Sequence, residues 1–262
     1  MWSEIEKYTE EFYKTGLDKV LDFEKFNRIA IVHHSSAIEG STLTLEETAL
    51  LISEGITAKG KSMNEHEMVN DHYKALLFCI EEAAKKAPVT VGLLKQINSL
   101  VNKNTGQVRN TPLGICEDTK GNFRLGNVTA GTTYFVNYDK VPAMVKELCE
   151  KLQSQIVKSG SNEEIYRLSF DAHYYLVTIH PWFDGNGRTS RLLMNYIQAY
   201  HSKPLSLVFI EDKPAYITAL NETREKNDLE VFRNFMCSEL IKYFTGELEK
   251  YRQSKKGFPF MF

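Results

Sequence analysis

His180-Pro181-Trp182-Phe183-Asp184-Gly185-Asn186-Gly187-Arg188-Thr189-Ser190-Arg191 places a titratable base, a carboxylate, a Gly-x-Gly turn and two arginines in twelve residues. The apolar residues before it, Ile165, Leu168, Ala172, Leu176 and Ile179, recur at three- and four-residue steps and predict a helix over Glu163–Ile179. Pro181 interrupts that helix. The next predicted helix is Arg188–Tyr200, with Leu192, Leu193, Tyr196 and Ile197 on its inner face. The motif is therefore a helix, a short loop and a helix. Glycines at 185 and 187 permit positive φ and close backbone approach. The second helix offers unsatisfied N–H groups and a positive dipole end to the same space, which makes an anion site. Arg188 and Arg191 lie three apart and reach over it, and guanidinium suits phosphate oxygens. Asp184 is a hard oxygen ligand for Mg²⁺, which binds through one or two carboxylates plus substrate phosphates. His180 accepts a proton near neutrality.

Working outward, helical periodicity dominates. Trp2–Lys14 and Leu17–Glu39 read as helices broken at Gly16, with Gly40 placed to end the second. Thr44 with Glu47, and Ser62 with Glu65, are capping-box pairs that open helices closed by Gly55 and near Pro88. Thr90–Asn102, Val141–Val157, Lys213–Lys226 and Leu229–Tyr251 complete the helical set. Between Arg109 and Asn137 the period disappears among glycines, threonines and aromatics. We read there an irregular β-hairpin, with a turn at Lys120-Gly121-Asn122 and an extended strand within Asn127–Val136. The expectation is a mostly α chain. Its parts are N-terminal helices over 1–40, a main domain with flanking helices over 41–252, and a frayed tail over 253–262.

A net charge of −2 leaves no electrostatic footprint for nucleic acid or an anionic membrane, so neither is expected as a partner. The first twenty residues carry acids and no apolar core of a signal peptide, and apolar runs such as Ala75–Ile80 are too short to span a bilayer. Cys79, Cys116, Cys149 and Cys237 form no CxxC pair and read as separate reduced thiols in a cytoplasmic protein.

The signature resembles that of Fic-domain proteins, H-P-F-x-[D/E]-G-N-G-R-x-x-R, departing only at Trp182, which is expected to pack inward as the usual Phe does. The resemblance extends over roughly Leu17 to Leu240. It implies a Fic fold, a helical bundle around a helix-loop-helix active site with a small β-hairpin flap. It also implies transfer of AMP from ATP to a Ser, Thr or Tyr hydroxyl of a protein, with release of pyrophosphate. By the resemblance His180 is the base and Asp184 holds Mg²⁺ as cofactor. ATP, the co-substrate, is received by Gly185, Asn186, Gly187, Arg188, Thr189, Ser190 and Arg191, with Arg188 on the β- and Arg191 on the γ-phosphate. Val128-Thr129-Ala130-Gly131 resembles the flap that aligns a target segment by strand addition. Tyr216, Ile217 and Arg224 fall where the family lines an adenine pocket. Ser35-x-x-x-Glu39-Gly40 resembles an inhibitory motif whose glutamate pairs with the second signature arginine, here Arg191. The expected partners are ATP and a hydroxyl-bearing protein, and the N-terminal helices offer faces for a homodimer.

Three competitors remain in view. Another nucleotide donor, or removal of AMP, fits the same loop; a nucleotide-sensing binding module has no need of His180. Gly55-Ile56-Thr57-Ala58-Lys59-Gly60-Lys61-Ser62 satisfies the P-loop pattern, but a P-loop follows a buried strand and this segment follows an amphipathic helix. His66-Glu67-Met68-Val69-Asn70 lacks the second histidine of a zinc-protease motif. His33, His34 and His173 read as structural, with His173 placed on the His180 face of its helix.

Overall fold

The computed structural model describes residues 1–17, 21–131 and 133–255. Among them the chain forms ten α-helices and two short hairpins, in the order α1 (Trp2–Thr15), α2 (Leu21–Ile38), α3 (Leu45–Glu54), α4 (Met63–Ala84), α5 (Val91–Val101), β1 (Val108–Thr111), β2 (Gly114–Glu117), β3 (Thr129–Ala130), β4 (Thr133–Tyr134), α6 (Val141–Ile156), α7 (Asn162–Ile179), α8 (Asn186–Tyr200), α9 (Lys213–Lys226) and α10 (Leu229–Lys255). The tail expected from 253 lies outside the described residues beyond Lys255.

The centre of the bundle is α8. It is buried from Arg188 to Gln198 and packs against α7 and α4, with α5 and α2 completing its surround. A helix buried on every side must satisfy its polar side chains internally. The Asn195 amide donates to the Ser206 carbonyl at 2.8 Å, and the Gln198 amide to the Ser169 and Ser206 hydroxyls at 3.0 and 2.9 Å. α1 closes one side of the bundle against α10 and α7.

Local chemistry sets the helix ends. Thr44, Ser62 and Ser161 each make a complete capping box with the glutamate three residues on. The third box was not read from the sequence, and it starts α7 one residue earlier than periodicity suggests. The expected helix over Leu17–Glu39 is described from Leu21 and ends at Ile38, residues 18–20 lying outside the described set. The α8 helix begins at Asn186, two residues before the expected start, because Gly185 at φ 78° serves as its N-cap.

The β region differs from the single hairpin expected. β1 pairs with β2 antiparallel, Thr111 opposite Gly114, and β3 pairs with β4, Thr129 opposite Tyr134. Lys120-Gly121 is no hairpin turn. It ends a 3₁₀ turn over Asp118–Lys120, where a Cβ at Gly121 would strike the Lys95 carbonyl of α5. Packing against α5 thus imposed a turn that looks, locally, like a strand reversal. No helix among the described residues is long and apolar enough to cross a membrane.

Candidate active site

The chain leaves α7 at His180, which takes the left-handed conformation with φ 53° and donates its N–H to the Leu176 carbonyl at 3.0 Å. A non-glycine residue held there is unusual and marks a constrained position. The loop that follows is stapled from within. The Trp182 N–H donates to Asn186 Oδ1 at 3.0 Å, and Asn186 Nδ2 donates to the Trp182 carbonyl at 2.9 Å. Trp182 packs inward as expected, almost fully buried, with its indole N–H on the Gly121 carbonyl at 3.1 Å.

A second staple comes from α5, which the sequence reading overlooked. Asn98 donates to the Asp184 carbonyl and to Thr189 Oγ1, both at 3.1 Å, and Asn102 Nδ2 lies 3.4 Å from the same carbonyl. A Cβ at Gly185 would meet both amide nitrogens, so this glycine is needed for its positive φ and for space. The signal was present: Asn98 and Asn102 are polar residues one turn apart on the buried stripe of α5 that carries Leu94, Ile97 and Val101.

The two arginines have separate surroundings. Arg188 is buried and donates to the Val101 carbonyl at 3.1 Å and to Asn102 Oδ1 at 3.3 Å, with Asp184 Oδ1 at 3.4 Å. Arg191 is buried and turned to α2. Its Nε donates to the Ser35 hydroxyl at 2.8 Å, and Nη2 to the Ser35 carbonyl at 3.1 Å and to Glu39 Oε1 at 2.6 Å. Ser35 in the last turn of α2 and Glu39 just past its end thus grip one guanidinium together. Burial works to raise the Glu39 carboxyl, but Arg191, Arg188 and Lys213 outweigh it and hold it below its ordinary value. Glu39 is therefore an anion lodged at the arginine end of the loop. Gly40, at φ 107°, turns the chain away after it.

The glycines of the motif divide their roles. Gly185 alone takes positive φ. Gly187 sits inside α8, and its missing Cβ makes room for Glu39 Oε1. The first intrahelical bond of α8 runs from the Thr189 N–H to the Gly185 carbonyl, so the N–H groups of Asn186, Gly187 and Arg188 precede it. Thr189 and Ser190 point into the bundle and are fully buried, Thr189 held by Asn98.

His180 stacks on Phe135, ring centroids 3.8 Å apart and planes 18° from parallel. Burial pushes its pKa down to about 4; the Val177 carbonyl and Glu39 oppose the shift, and Arg124 and Arg224 add to it. The ring is therefore neutral at pH 7 and carries a lone pair. Asp184 is half exposed. It accepts the Gly185 N–H at 2.6 Å and keeps lone pairs toward solvent. No three His, Cys, Asp or Glu residues cluster among the described residues. The half-exposed Asp184 carboxylate is itself a hard oxygen donor of the kind that holds Mg²⁺ together with phosphate oxygens.

The outer residues fall unevenly. Tyr216 is buried, its hydroxyl 2.9 Å from His173 Nε2 and close to Arg191, so His173 does pack beneath the site. Arg224 bonds Asn221 at 3.0 Å and lies near enough to depress His180, whereas Ile217 is exposed. Thr129, Ala130 and Gly131 form the exposed tip side of the β3–β4 hairpin, and the Val128 carbonyl accepts the Phe135 N–H at 3.4 Å. The P-loop look-alike is ordinary structure. Ser62 caps α4, and Lys61 Nζ donates to the Thr42 carbonyl at 2.8 Å.

Comparison with known proteins agrees with this geometry. Residues 88–198 match the Fic/DOC family. A Protein adenylyltransferase Fic of Nematostella vectensis is 31% identical over 215 residues, covering 79% of this chain and 46% of that one. Protein adenylyltransferase fic-1 of Caenorhabditis elegans is 28% identical over 222 residues, covering 84% and 40%. The chain spans less than half the length of these relatives. A Fic-domain-containing signalling protein from Bacteroides thetaiotaomicron superposes with TM-score 0.80 at 23% identity, covering 98% of this chain and 99% of that one. The C. elegans Fic-1 structure gives 0.76 at 24%, covering 97% and 71%, and both likenesses establish the fold. The signature lies inside the matched segment, so residues 88–198 of this chain form a domain of the Fic/DOC family.

Proposed function

We propose that the protein transfers AMP from ATP to the hydroxyl of a Ser, Thr or Tyr side chain on a protein target, and that Glu39 restrains it. The observation that carries this reading is a neutral His180 beside a loop whose free N–H groups, Arg188 and Arg191 suit a polyphosphate. The relatives named protein adenylyltransferases support the same chemistry.

In the reaction the target hydroxyl oxygen forms a bond to the α-phosphorus, and the α–β bridging P–O bond breaks, releasing pyrophosphate. The hydroxyl proton passes to His180, a step typically worth about 10²–10⁴-fold. Asp184 would hold Mg²⁺, which when bound neutralises phosphate charge. The rest is positioning: the α8 N-terminus and the arginines receive the phosphates, and the exposed edge of β3–β4 aligns the target segment.

Glu39 competes for this arrangement because its carboxylate occupies Arg191. A charge-assisted hydrogen bond of about 1.5–3 kcal/mol corresponds to roughly ten- to a hundredfold restraint. With α-³²P-ATP and Mg²⁺, wild type is expected to label protein at least tenfold less than Glu39→Gly, and Glu39→Gly/His180→Ala to label none. Equal labelling by wild type and Glu39→Gly would remove the restraint. Absence of label from Glu39→Gly, with ATP bound, would remove the transferase reading and favour a nucleotide-sensing module.

A further inference from the structure

Arg124 belongs to no part of the signature and has no local sequence signal, yet it is among the most completely buried large side chains of the protein. No carboxylate lies within ion-pair distance of it among the described residues. A buried, unpaired guanidinium is costly, and burial does pull its pKa below the ordinary arginine value. Its hydrogen bonds show what offsets that cost. Nε donates to the His180 carbonyl at 2.8 Å, Nη1 to the Gly126 carbonyl at 2.8 Å, and Nη2 to the Val136 carbonyl. Its own backbone N–H donates to the Pro181 carbonyl at 2.9 Å.

These acceptors have a common meaning. Gly126 and Val136 are the two roots of the β3–β4 hairpin, and His180 and Pro181 begin the signature loop. One planar fork therefore bonds both ends of the flap to the main chain of the base. The hairpin itself has two residue pairs and exposed strands, too little to hold its own position. Phe135, next to the anchored Val136, is the residue stacked on the His180 ring. A lysine offers its donors from one compact nitrogen and lacks the planar fork that spans three separate carbonyls.

We infer that Arg124 is a positioning residue for the transfer: it locks the flap and His180 into one body, so that a hydroxyl aligned along the flap arrives at the base. The inference rests on the transferase reading above. It assigns Arg124 to acceptor alignment and not to nucleotide binding. Displacement of reacting groups by about 1 Å costs about 10²-fold in rate, and that is the expected loss.

The test uses the full chain carrying Glu39→Gly, alone and with Arg124→Met or Arg124→Lys. Self-labelling from α-³²P-ATP gives the transfer rate, and calorimetry with a non-hydrolysable ATP analogue gives nucleotide affinity. Transfer is expected to fall about a hundredfold in both variants, while affinity stays within about threefold. Two readouts stand apart from catalysis. The ¹⁵N-detected titration of His180 should move up in Arg124→Met, as a freed flap takes Phe135 off the ring and relieves the burial that lowers it. Amide exchange of residues 127–131 and 133–136 should accelerate, with exchange in α7 and α8 unchanged. If Arg124→Met does not fold, Arg124→Lys carries the same comparison. Transfer within twofold of the parent, or a loss matched by weakened nucleotide binding, overturns the inference. If the parent labels nothing, the transferase reading fails. In that case unchanged His180 titration and flap exchange would overturn the coupling of flap to base independently.

Discussion

Gly187 shows how much a single missing atom decides. Its φ is helical, so backbone strain does not require glycine here. What requires it is Glu39 Oε1, which a Cβ would strike, with Arg191 Nη1 at 3.1 Å beyond. Gly187→Ala is therefore expected to destabilise the wild-type protein by about 1–3 kcal/mol, the usual range for overpacking. In a Glu39→Gly background the carboxylate is gone, and only the movable end of Arg191 remains in the way. The penalty should fall by at least half. Urea unfolding of the four proteins of this double-mutant cycle measures it, and equal penalties would show that Glu39 is not lodged against Gly187. The residue-scale reading of the motif was legible in part: the types and spacing gave base, carboxylate and arginines. That Gly185 supplies conformation while Gly187 supplies space was not legible, because the neighbour in question lies 148 positions earlier in the chain.

At the scale of elements, short-range chemistry is the reliable guide. Capping boxes at Thr44 and Ser62 were readable because both partners lie within four residues. The same rule rejects the P-loop pattern at 55–62, which runs from the left-handed cap of α3 to the N-cap of α4. Ser62→Ala is expected to cost about 0.5–2 kcal/mol in thermal or urea unfolding, as N-cap losses do. Lys61→Ala should leave ATP affinity unchanged; loss of binding would revive a nucleotide role for the segment. Glu65 adds a tertiary use of this cap. It accepts the backbone N–H and hydroxyl of Thr42 at 2.8 and 2.7 Å as well as those of Ser62. These bonds, led by the Thr42 hydroxyl, lower its pKa to about 2. The turn at Lys120-Gly121-Asn122 was misread for the converse reason: Gly121 looks like a hairpin turn and is shaped by α5.

For the whole molecule, burial of histidine sets the response to acid. Burial is the first cause of lowered pKa at His33, His34, His72, His173, His180 and His201, six of the seven histidines. Each binds its proton more readily unfolded, so the unfolded state gains protons first as pH falls below 6.5. Stability is then lost between 6.5 and the lowered values, about 4 for His34 and His180. Glu239, raised by burial to about 7, acts in the opposite sense, its contribution being present below the ordinary carboxyl value and lost as pH rises through 7. Asp71 and Asp171, also raised by burial, act in the same sense as Glu239, and six histidines against three such carboxyls leave net acid destabilisation. Urea midpoints should fall steadily from pH 6.5 to 5 with a slope of more than one proton, and a flat profile would contradict the buried, neutral histidines. By itself the sequence determined the helices, the helix-loop-helix and the residue types gathered in it, because periodicity, caps and motif spacing act over a few residues. The Glu39–Arg191 pair was implied by the resemblance of the inhibitory motif, but only the tertiary structure decided the other meetings across the chain: Glu39 with Gly187, Asn98 with the loop, Arg124 with His180. Those contacts come from burying α8 on all sides, and the close packing that brings distant segments into hydrogen-bond reach leaves no trace in local sequence.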